Sequence, residues 1–193
     1  MKQRKWAVPK GSFGYIKYKK KESIVRTVLF FALSLAIYGL GIYSTGSNKN
    51  LLTIVAVLGC LPACKSAVNA IMFLRATGCS EEAHERISAY DGKLTGFYDM
   101  YFTSYQQSFP ISHMVLKGNT LCAYTENPKC NVAEGTKHLG QMFVQDGYKN
   151  ICVKIFTNLD KYIDRLGQLH NSEVEEHREK EDMIRMLYSI SLS

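Results

Sequence analysis

Two long apolar segments, separated by six polar residues, constrain this chain more than any other feature. The first, residues 27–44, has no charged side chain in 18 residues, and the second, residues 51–74, has one, Lys65. As a helix the first segment is ~27 Å long, close to the ~30 Å hydrocarbon thickness of a bilayer. Residues 45–50 are polar and turn-forming, and are long enough to join two antiparallel helices. The pattern predicts a transmembrane helical hairpin over residues 27–74.

Pro62 and Lys65 interrupt the second segment. A lysine at the middle of a bilayer costs about 3 kcal/mol. Lys65 would lie ~21 Å along a helix that begins at Leu51, which is within snorkelling reach of the far interface. We therefore interpret residues 51–64 as the spanning part, with a kink at Pro62, and residues 65–74 as emerging at the membrane surface. The alternative is that Lys65 lines an ion path in a small subunit of a transporter or channel.

Small residues recur at four-residue intervals in both apolar segments, which lets two helix backbones approach closely. They are Ala32 and Ala36 in the first segment, and Gly59, Ala63 and Ala67 in the second. We predict that these residues pack the two helices of the hairpin against each other. The alternative is that they join two chains into a homo-oligomer.

Basic residues are concentrated before the first apolar segment. Residues 1–26 carry nine lysines and arginines and one acid, Glu22, whereas the chain from residue 75 onward carries 13 basic and 16 acidic residues. Because basic residues favour the cytoplasmic side of a membrane, the sequence predicts cytoplasmic termini and a basic juxtamembrane arm over residues 1–26. The side chains expected to contact the bilayer surface and its anionic headgroups are Lys17, Lys19, Lys20, Lys21, Arg26 and Lys65.

The same charge distribution argues against some classes of protein. The pI of 9.0 reflects the arm and the hairpin, because the remainder of the chain has a small excess of acids, so nucleic acid is not an expected partner. A secretory signal peptide is a poor match, since the basic region and the apolar stretch are both too long and no typical cleavage site follows. Residues 10–14 contain glycines but follow no predicted strand, so we expect a flexible juxtamembrane chain there.

Residues 75–171 have the composition of a soluble domain. Ser80, followed by acids, is typical of a helix start. Segments rich in β-branched and aromatic residues predict strands, and apolar residues at helical spacing predict the helices between and after them. The predicted elements are helix 80–90, strands 94–104, 109–116 and 120–125, helix 131–146, strand 150–156 and a helix from Asn158. The order α-β-β-β-α-β-α predicts a small mixed sheet in an α+β or α/β cytoplasmic domain.

Residues 172–193 are predicted to form a helical tail. Ser172 and Glu175 have the spacing of a capping box, and a run of charged residues follows. The tail ends in an apolar patch over residues 183–190. That patch is expected to dock either on the domain itself or on a partner.

The order of elements over residues 80–156 resembles the core of restriction-endonuclease-like folds. That resemblance implies an acid on the second strand and an acid-x-Lys motif on the third. Here the second strand has no acid, and Glu126 at the end of the third has no lysine two residues later. The resemblance therefore implies a shared topology, and at most an inactive relative used for binding.

No catalytic or cofactor-binding motif stands out in the sequence. The six cysteines lack the spacing of a zinc site, and the five histidines form no recognisable ligand pattern. We expect free thiols, no metal and no cofactor. The leading hypothesis is a membrane-anchored, non-enzymatic adaptor or regulatory module that binds a cytoplasmic protein. The alternative is a membrane-tethered domain of endonuclease-like topology that is inactive or binds nucleic acid.

Overall fold

The structure is a computed structural model and describes residues 8–47, 50–90, 94–172 and 179–192. The chain divides into two units. One consists of residues 16–76, and the other of residues 1–15 together with 77–193. We call the first unit the hairpin and the second the α/β domain.

Two helices form the hairpin: α1, Tyr15–Thr45, and α2, Leu51–Arg75. By length and composition, both are long and apolar enough to cross a membrane. Only 11% and 17% of their most apolar stretches are buried, unlike the core helices of a soluble domain. The predicted elements are present, but α1 begins well before residue 27, and α2 continues without a break through Pro62 and Lys65.

Asn50 closes the turn between the helices. Its Oδ1 atom accepts a hydrogen bond from the Thr53 N–H, 2.8 Å away, and so caps the first turn of α2. Its Nδ2 atom donates to the carbonyl oxygens of Gly41 and Ser47, at 2.9 and 2.8 Å. One amide side chain therefore satisfies orphan backbone groups at the end of α1 and at the start of α2.

The two helices pack antiparallel with a regular register. A Cβ atom on Gly41 would lie 3.0 Å from Leu52, one on Gly59 would lie 2.9 Å from the Ser34 hydroxyl, and the hydroxyls of Thr27 and Ser66 are 3.0 Å apart. These three contacts are seven residues apart along each helix, which is the spacing of a coiled-coil seam. Small side chains at the seam allow this close approach.

The seam uses only part of the predicted set of small residues. On α2, Ala63 is buried and Gly59 faces Ser34, as predicted. On α1, Ala32 and Ala36 are exposed. The prediction that Ala32 and Ala36 pack against α2 was wrong. The apolar section of α1 is apolar on all sides, so its composition does not determine the rotation of the helix about its axis.

The α/β domain contains a four-stranded mixed sheet in the order β1-β2-β3-β4. The strands are β1 Thr95–Thr103, β2 Ser108–Lys117, β3 Thr120–Tyr124 and β4 Cys152–Phe156; the helices are α3 Glu81–Ser88, α4 Val132–Gln145, α5 Leu159–Asn171 and α6 Lys180–Ile190. The first three strands are antiparallel, and β4 pairs parallel to β3 after the crossover helix α4. The order of elements matches the prediction in outline.

Helices cover both faces of the sheet. One apolar cluster joins the sheet to α4 and α6, and a second joins its other face to α3 and α5. Side chains of Ser80, Asn131 and Asn158 each accept a hydrogen bond from a backbone N–H three residues later, which caps α3, α4 and α5. These caps explain why the three helices begin where the sequence predicts.

The apolar end of the tail docks on the domain itself. Met183 and Leu187 of α6 are buried in the first apolar cluster. This contact resolves the alternative that the sequence left open, because that face of α6 is already covered. Ser172 ends α5, and Glu175, the second residue of the predicted capping box, lies outside the described residues.

The chain's own ends cover the free edge of β1. The Tyr98 N–H donates to the Gly11 carbonyl at 2.7 Å, and the Leu192 N–H donates to the Tyr101 carbonyl at 2.8 Å. Lys10 donates to two carbonyls in the α6 region, both at 2.7 Å. Residues 10–14, expected to be flexible, are thus partly held against the domain, and the edge is protected from pairing with another chain.

Candidate membrane surface and polar sites

The basic residues predicted to meet the membrane surface lie at one end of the hairpin. Lys17, Lys19, Lys20, Lys21 and Arg26 occupy the first turns of α1, before its apolar section. Glu22 lies among them; its carboxylate is 3.1 Å from the Lys19 ammonium and forms a second ion pair with Arg26. This end of α1 therefore carries a strong net positive charge.

Lys65 lies at the same end, although it follows an apolar stretch of α2. The hydroxyl contact between Thr27 and Ser66 places the adjacent Lys65 level with the start of the apolar section of α1. Lys65 is exposed and does not face the seam. The antiparallel register therefore brings all six predicted cations to one end of the hairpin.

Large apolar side chains project outward along the rest of the hairpin. Nineteen of the 21 large apolar residues that are exposed in the described part of the chain lie on α1 or α2. Examples are Leu35 and Leu40 on α1 and Leu51 and Leu61 on α2, exposed by between 63% and 76%. A soluble domain rarely exposes so large a contiguous apolar surface.

The apolar surface extends further along α2 than along α1. Val68, Ile71 and Leu74 are 52% to 57% exposed, and the antiparallel register puts them beside the basic section of α1. At this end of the hairpin, α1 is thus basic while the neighbouring part of α2 exposes apolar side chains. This combination suits the boundary between headgroups and acyl chains.

A second polar site lies at the start of α3. The buried Asp99 accepts a hydrogen bond from the Cys79 N–H at 2.7 Å, and Glu126 accepts from the Ser80 N–H at 3.2 Å and from its hydroxyl at 3.0 Å. Carboxylates at a helix N-terminus satisfy orphan N–H groups and complement the helix dipole. Both acids therefore fix the segment that leads into α3.

The side chains of β1 stop alternating regularly between the two faces of the sheet at Asp99. Phe97 belongs to the cluster under α4 and α6, Tyr98 to the one under α3 and α5, yet Met100 and Phe102 belong again to the first cluster. The alternation slips at Asp99, which has a φ of 56°. A left-handed residue in a strand is uncommon outside glycine and asparagine-like residues, and here it turns the carboxylate toward α3.

A buried histidine lies beneath α5. The His113 Nδ1 atom is 2.7 Å from the Tyr162 hydroxyl, and both side chains are almost fully buried. Among the described residues, the His113 Nε2 atom has no hydrogen-bond partner. Burial, and next the nearby His84, lower the pKa of His113 to about 3, so the ring is neutral at physiological pH. Burial similarly raises the pKa of Tyr124, which stacks on Tyr162, to about 12.

The described residues do not form the metal-binding arrangement that the endonuclease-like resemblance implies. Within the described ranges, no three His, Cys, Asp or Glu side chains lie close enough to hold a metal ion. β2 carries no acid, and Asp99 and Glu126 both bond to backbone groups before α3. All six cysteines are free thiols; Cys79 and Cys122 are buried, and burial raises the pKa of the Cys122 thiol.

Sequence patterns did not reveal the partners of Asp99 and His113, because each contact joins residues that are distant along the chain. Asp99 is 20 residues from Cys79, and His113 is 49 residues from Tyr162. An aspartate and a histidine inside otherwise apolar strands were the only available signals. No family model, curated protein or solved structure matches this chain.

Proposed function

We propose that this protein is a membrane-anchored, non-enzymatic adaptor or regulatory module: the hairpin spans the bilayer and the α/β domain binds a cytoplasmic protein. The observation that carries the proposal is the outward apolar surface of the hairpin, bounded at one end by Lys17, Lys20, Lys21, Arg26 and Lys65. A bilayer provides both environments that this surface needs, an apolar slab and an anionic interface.

Water is an unfavourable environment for the exposed apolar side chains of the hairpin. Burying a Leu, Ile, Val or Phe side chain stabilises by roughly 1.5–3 kcal/mol relative to leaving it in water. With eighteen such groups outward on the two helices, an aqueous hairpin would forgo tens of kcal/mol in total, on the order of several times the stability of a domain. Insertion into a bilayer recovers that free energy.

The orientation follows from the basic end. The chain enters the hairpin at the start of α1 and leaves it at the end of α2, and both lie at the end that carries the cations. By the preference of basic residues for the cytoplasmic side, both termini and the α/β domain are cytoplasmic. The turn around Asn50 is then on the opposite side.

The hydrogen bonds of two acids in the domain favour a binding role over catalysis. Glu126, the acid at the end of the third strand, accepts hydrogen bonds from the chain before α3, and so does Asp99 of β1. A rigid domain tied to a bilayer raises the local concentration of whatever it binds, and needs no catalytic group for that effect.

A test of the anchor uses charge insertion on the lipid-facing surface. In Leu35→Arg/Leu61→Arg, each arginine adds a cost of about 3 kcal/mol near the bilayer centre. We expect the variant to leave the alkali-washed membrane fraction or to be degraded, while Tyr105→Arg, at an exposed position in the β1–β2 connection, stays with the membrane. Retention of the double variant at the wild-type level would contradict the anchor.

A second candidate is a domain of endonuclease-like topology that binds nucleic acid without cutting it. The strand order β1-β2-β3-β4, with a parallel fourth strand after a crossover helix, favours it. The excess of acids from residue 75 onward opposes it. Fluorescence anisotropy of labelled duplex DNA and RNA, measured at low salt with the full chain in detergent micelles, separates the two: binding in the micromolar range favours this candidate, and no binding removes it.

A further inference from the structure

The edge of the sheet at β4 pairs with no further strand in the described part of the chain, in contrast to the edge at β1, although Ile155 on this strand is buried. The Cys152 N–H donates to the Asn119 carbonyl at 2.7 Å, and the Phe156 carbonyl accepts from the Thr125 N–H at 2.9 Å. Because backbone groups alternate in direction along a parallel strand, those of Val153 and Ile155 point away from β3. In the described part of the chain, neither residue has a backbone partner on that side.

A groove runs beside this edge, between α4 and the start of β4. It has a volume of about 580 Å³, and Lys137, Gly140, Gln141 and Val144 of α4 form one wall. These four residues share one face of the helix because they are three or four residues apart. An extended chain added to β4 would lie along this wall.

Two features show that the groove is unfilled. Val144 is 63% exposed and, with Tyr105, is one of two large apolar side chains exposed on the described part of the α/β domain. A Cβ atom on Gly140 would meet nothing within 4 Å. The groove thus offers an apolar contact and open space next to unpaired backbone groups.

Cations surround the edge. Lys154 is exposed on the α5 side of β4, Lys137 is exposed on the α4 wall of the groove, and Lys149 is exposed in the connection between α4 and β4. Glu134 and Asp146, at the two ends of α4, are the acids near the groove in sequence. Three lysines against two acids leave the rim net positive, although the chain from residue 75 onward has an excess of acids.

We propose that the β4 edge binds an extended acidic peptide segment of a partner protein, which adds to the sheet as a fifth strand and places alternate apolar side chains in the α4 groove. Main-chain hydrogen bonds to Val153 and Ile155 supply affinity, and alternate side chains supply specificity. Residues of the added strand on the α5 side face Lys154, which favours carboxylates there. This inference rests on the proposed adaptor function and specifies its partner's chemistry.

The test uses a fluorescein-labelled peptide of alternating glutamate and valine, titrated with the full chain in detergent micelles and followed by fluorescence anisotropy. We expect saturable binding, and no binding of a peptide in which lysine replaces glutamate. N-methylation of the backbone at the residues that face β4 should weaken binding by at least about tenfold, whereas N-methylation at the intervening residues should not, because only one set of N–H groups donates.

Two variants locate the site. Gly140→Leu fills the groove at a half-buried helical position where an added Cβ atom meets nothing within 4 Å. It should therefore keep or raise the stability of the domain, while weakening the binding of the peptide by about tenfold or more. Lys154→Glu should weaken binding of the glutamate peptide and allow the lysine peptide to bind. Gly167→Ala, at a helical position of α5 where the added Cβ atom meets Tyr90 at an ordinary 3.7 Å, and Lys161→Glu lie outside the groove and serve as controls for helix propensity and charge.

Equal affinity of both peptides, insensitivity to N-methylation, or full binding by Gly140→Leu would overturn the inference. So would a dimer of the chain that excludes the peptide and is broken by Gly140→Leu, because a second copy would then occupy the edge. The measurement in micelles does not depend on membrane orientation. If the peptide does not bind but the hairpin is shown to be a membrane anchor, only the proposed strand addition is removed. If the hairpin proves not to be an anchor, the result of the peptide titration still holds.

Discussion

The buried His113 makes the stability of the α/β domain depend on pH in a predictable way. Burial and His84 lower its pKa from the ordinary 6.5 to about 3 in the folded protein. On unfolding the ring returns to water and recovers an ordinary pKa. Between these two values the unfolded chain binds more protons than the folded one, so stability is complete above about pH 6.5 and falls as the pH is lowered.

The magnitude follows from the size of the shift. Each pH unit between the two pKa values costs up to ~1.4 kcal/mol, so lowering the pH from 6.5 to 4.5 should cost roughly 2–3 kcal/mol from this residue alone. That loss is a large fraction of a typical domain stability of about 5–15 kcal/mol. It levels off only below about pH 3, where the folded form is protonated too.

The assay is urea unfolding of the full chain in detergent micelles, followed by near-ultraviolet circular dichroism of the tyrosines at several pH values. Other groups titrate as well, so the informative quantity is a difference between variants. His113→Phe/Tyr162→Phe removes both polar partners and should lose less stability than wild type between pH 6.5 and 4.5 by roughly 2–3 kcal/mol. Tyr162→Phe alone keeps the titrating ring and the wild-type dependence. Equal pH dependence in the double variant and wild type would refute the reasoning.

One glycine in each unit tests its packing: Gly59 in the hairpin and Gly78 in the α/β domain. Gly59→Leu must displace Ser34, whose hydroxyl would lie 2.9 Å from the added Cβ atom, whereas Gly39→Leu meets nothing within 4 Å; we expect only the former to lower the SDS concentration at which helical circular dichroism is lost. Gly78→Ala would bring a methyl group to 2.9 Å from the Asp99 carboxylate and should destabilise the domain by about 1–3 kcal/mol in the urea assay, and unchanged stability would show that the segment before α3 can shift freely.

The sequence predicts the elements of this fold well because each has a strong local signal. Side-chain oxygens of Ser80, Asn131 and Asn158 mark three helix starts, and alternating or continuous apolar runs mark the strands. The start of α1 was missed because hydropathy reports the apolar section and is insensitive to a basic helical extension such as that over residues 15–26.

Features that depend on how elements meet were less predictable. The exposure of Ala32 and the use of Ser34 at the seam depend on the rotation of α1, which an all-round apolar helix leaves open. The slip at Asp99 needs a left-handed residue that no periodicity rule anticipates. The position of Lys65 became interpretable only once the contact between Thr27 and Ser66 fixed the antiparallel register.

The central claim is a hairpin in the membrane with the α/β domain on the cytoplasmic side. Its most direct test is labelling of intact cells with a membrane-impermeant thiol reagent, using single cysteines at Ser12, Ser47 and Ser172 in a background in which all six natural cysteines are replaced. Our account predicts that only position 47, in the turn between the helices, is labelled before the cells are opened. Labelling of position 172 in intact cells would contradict it, since α2 would then not return the chain to the cytoplasm.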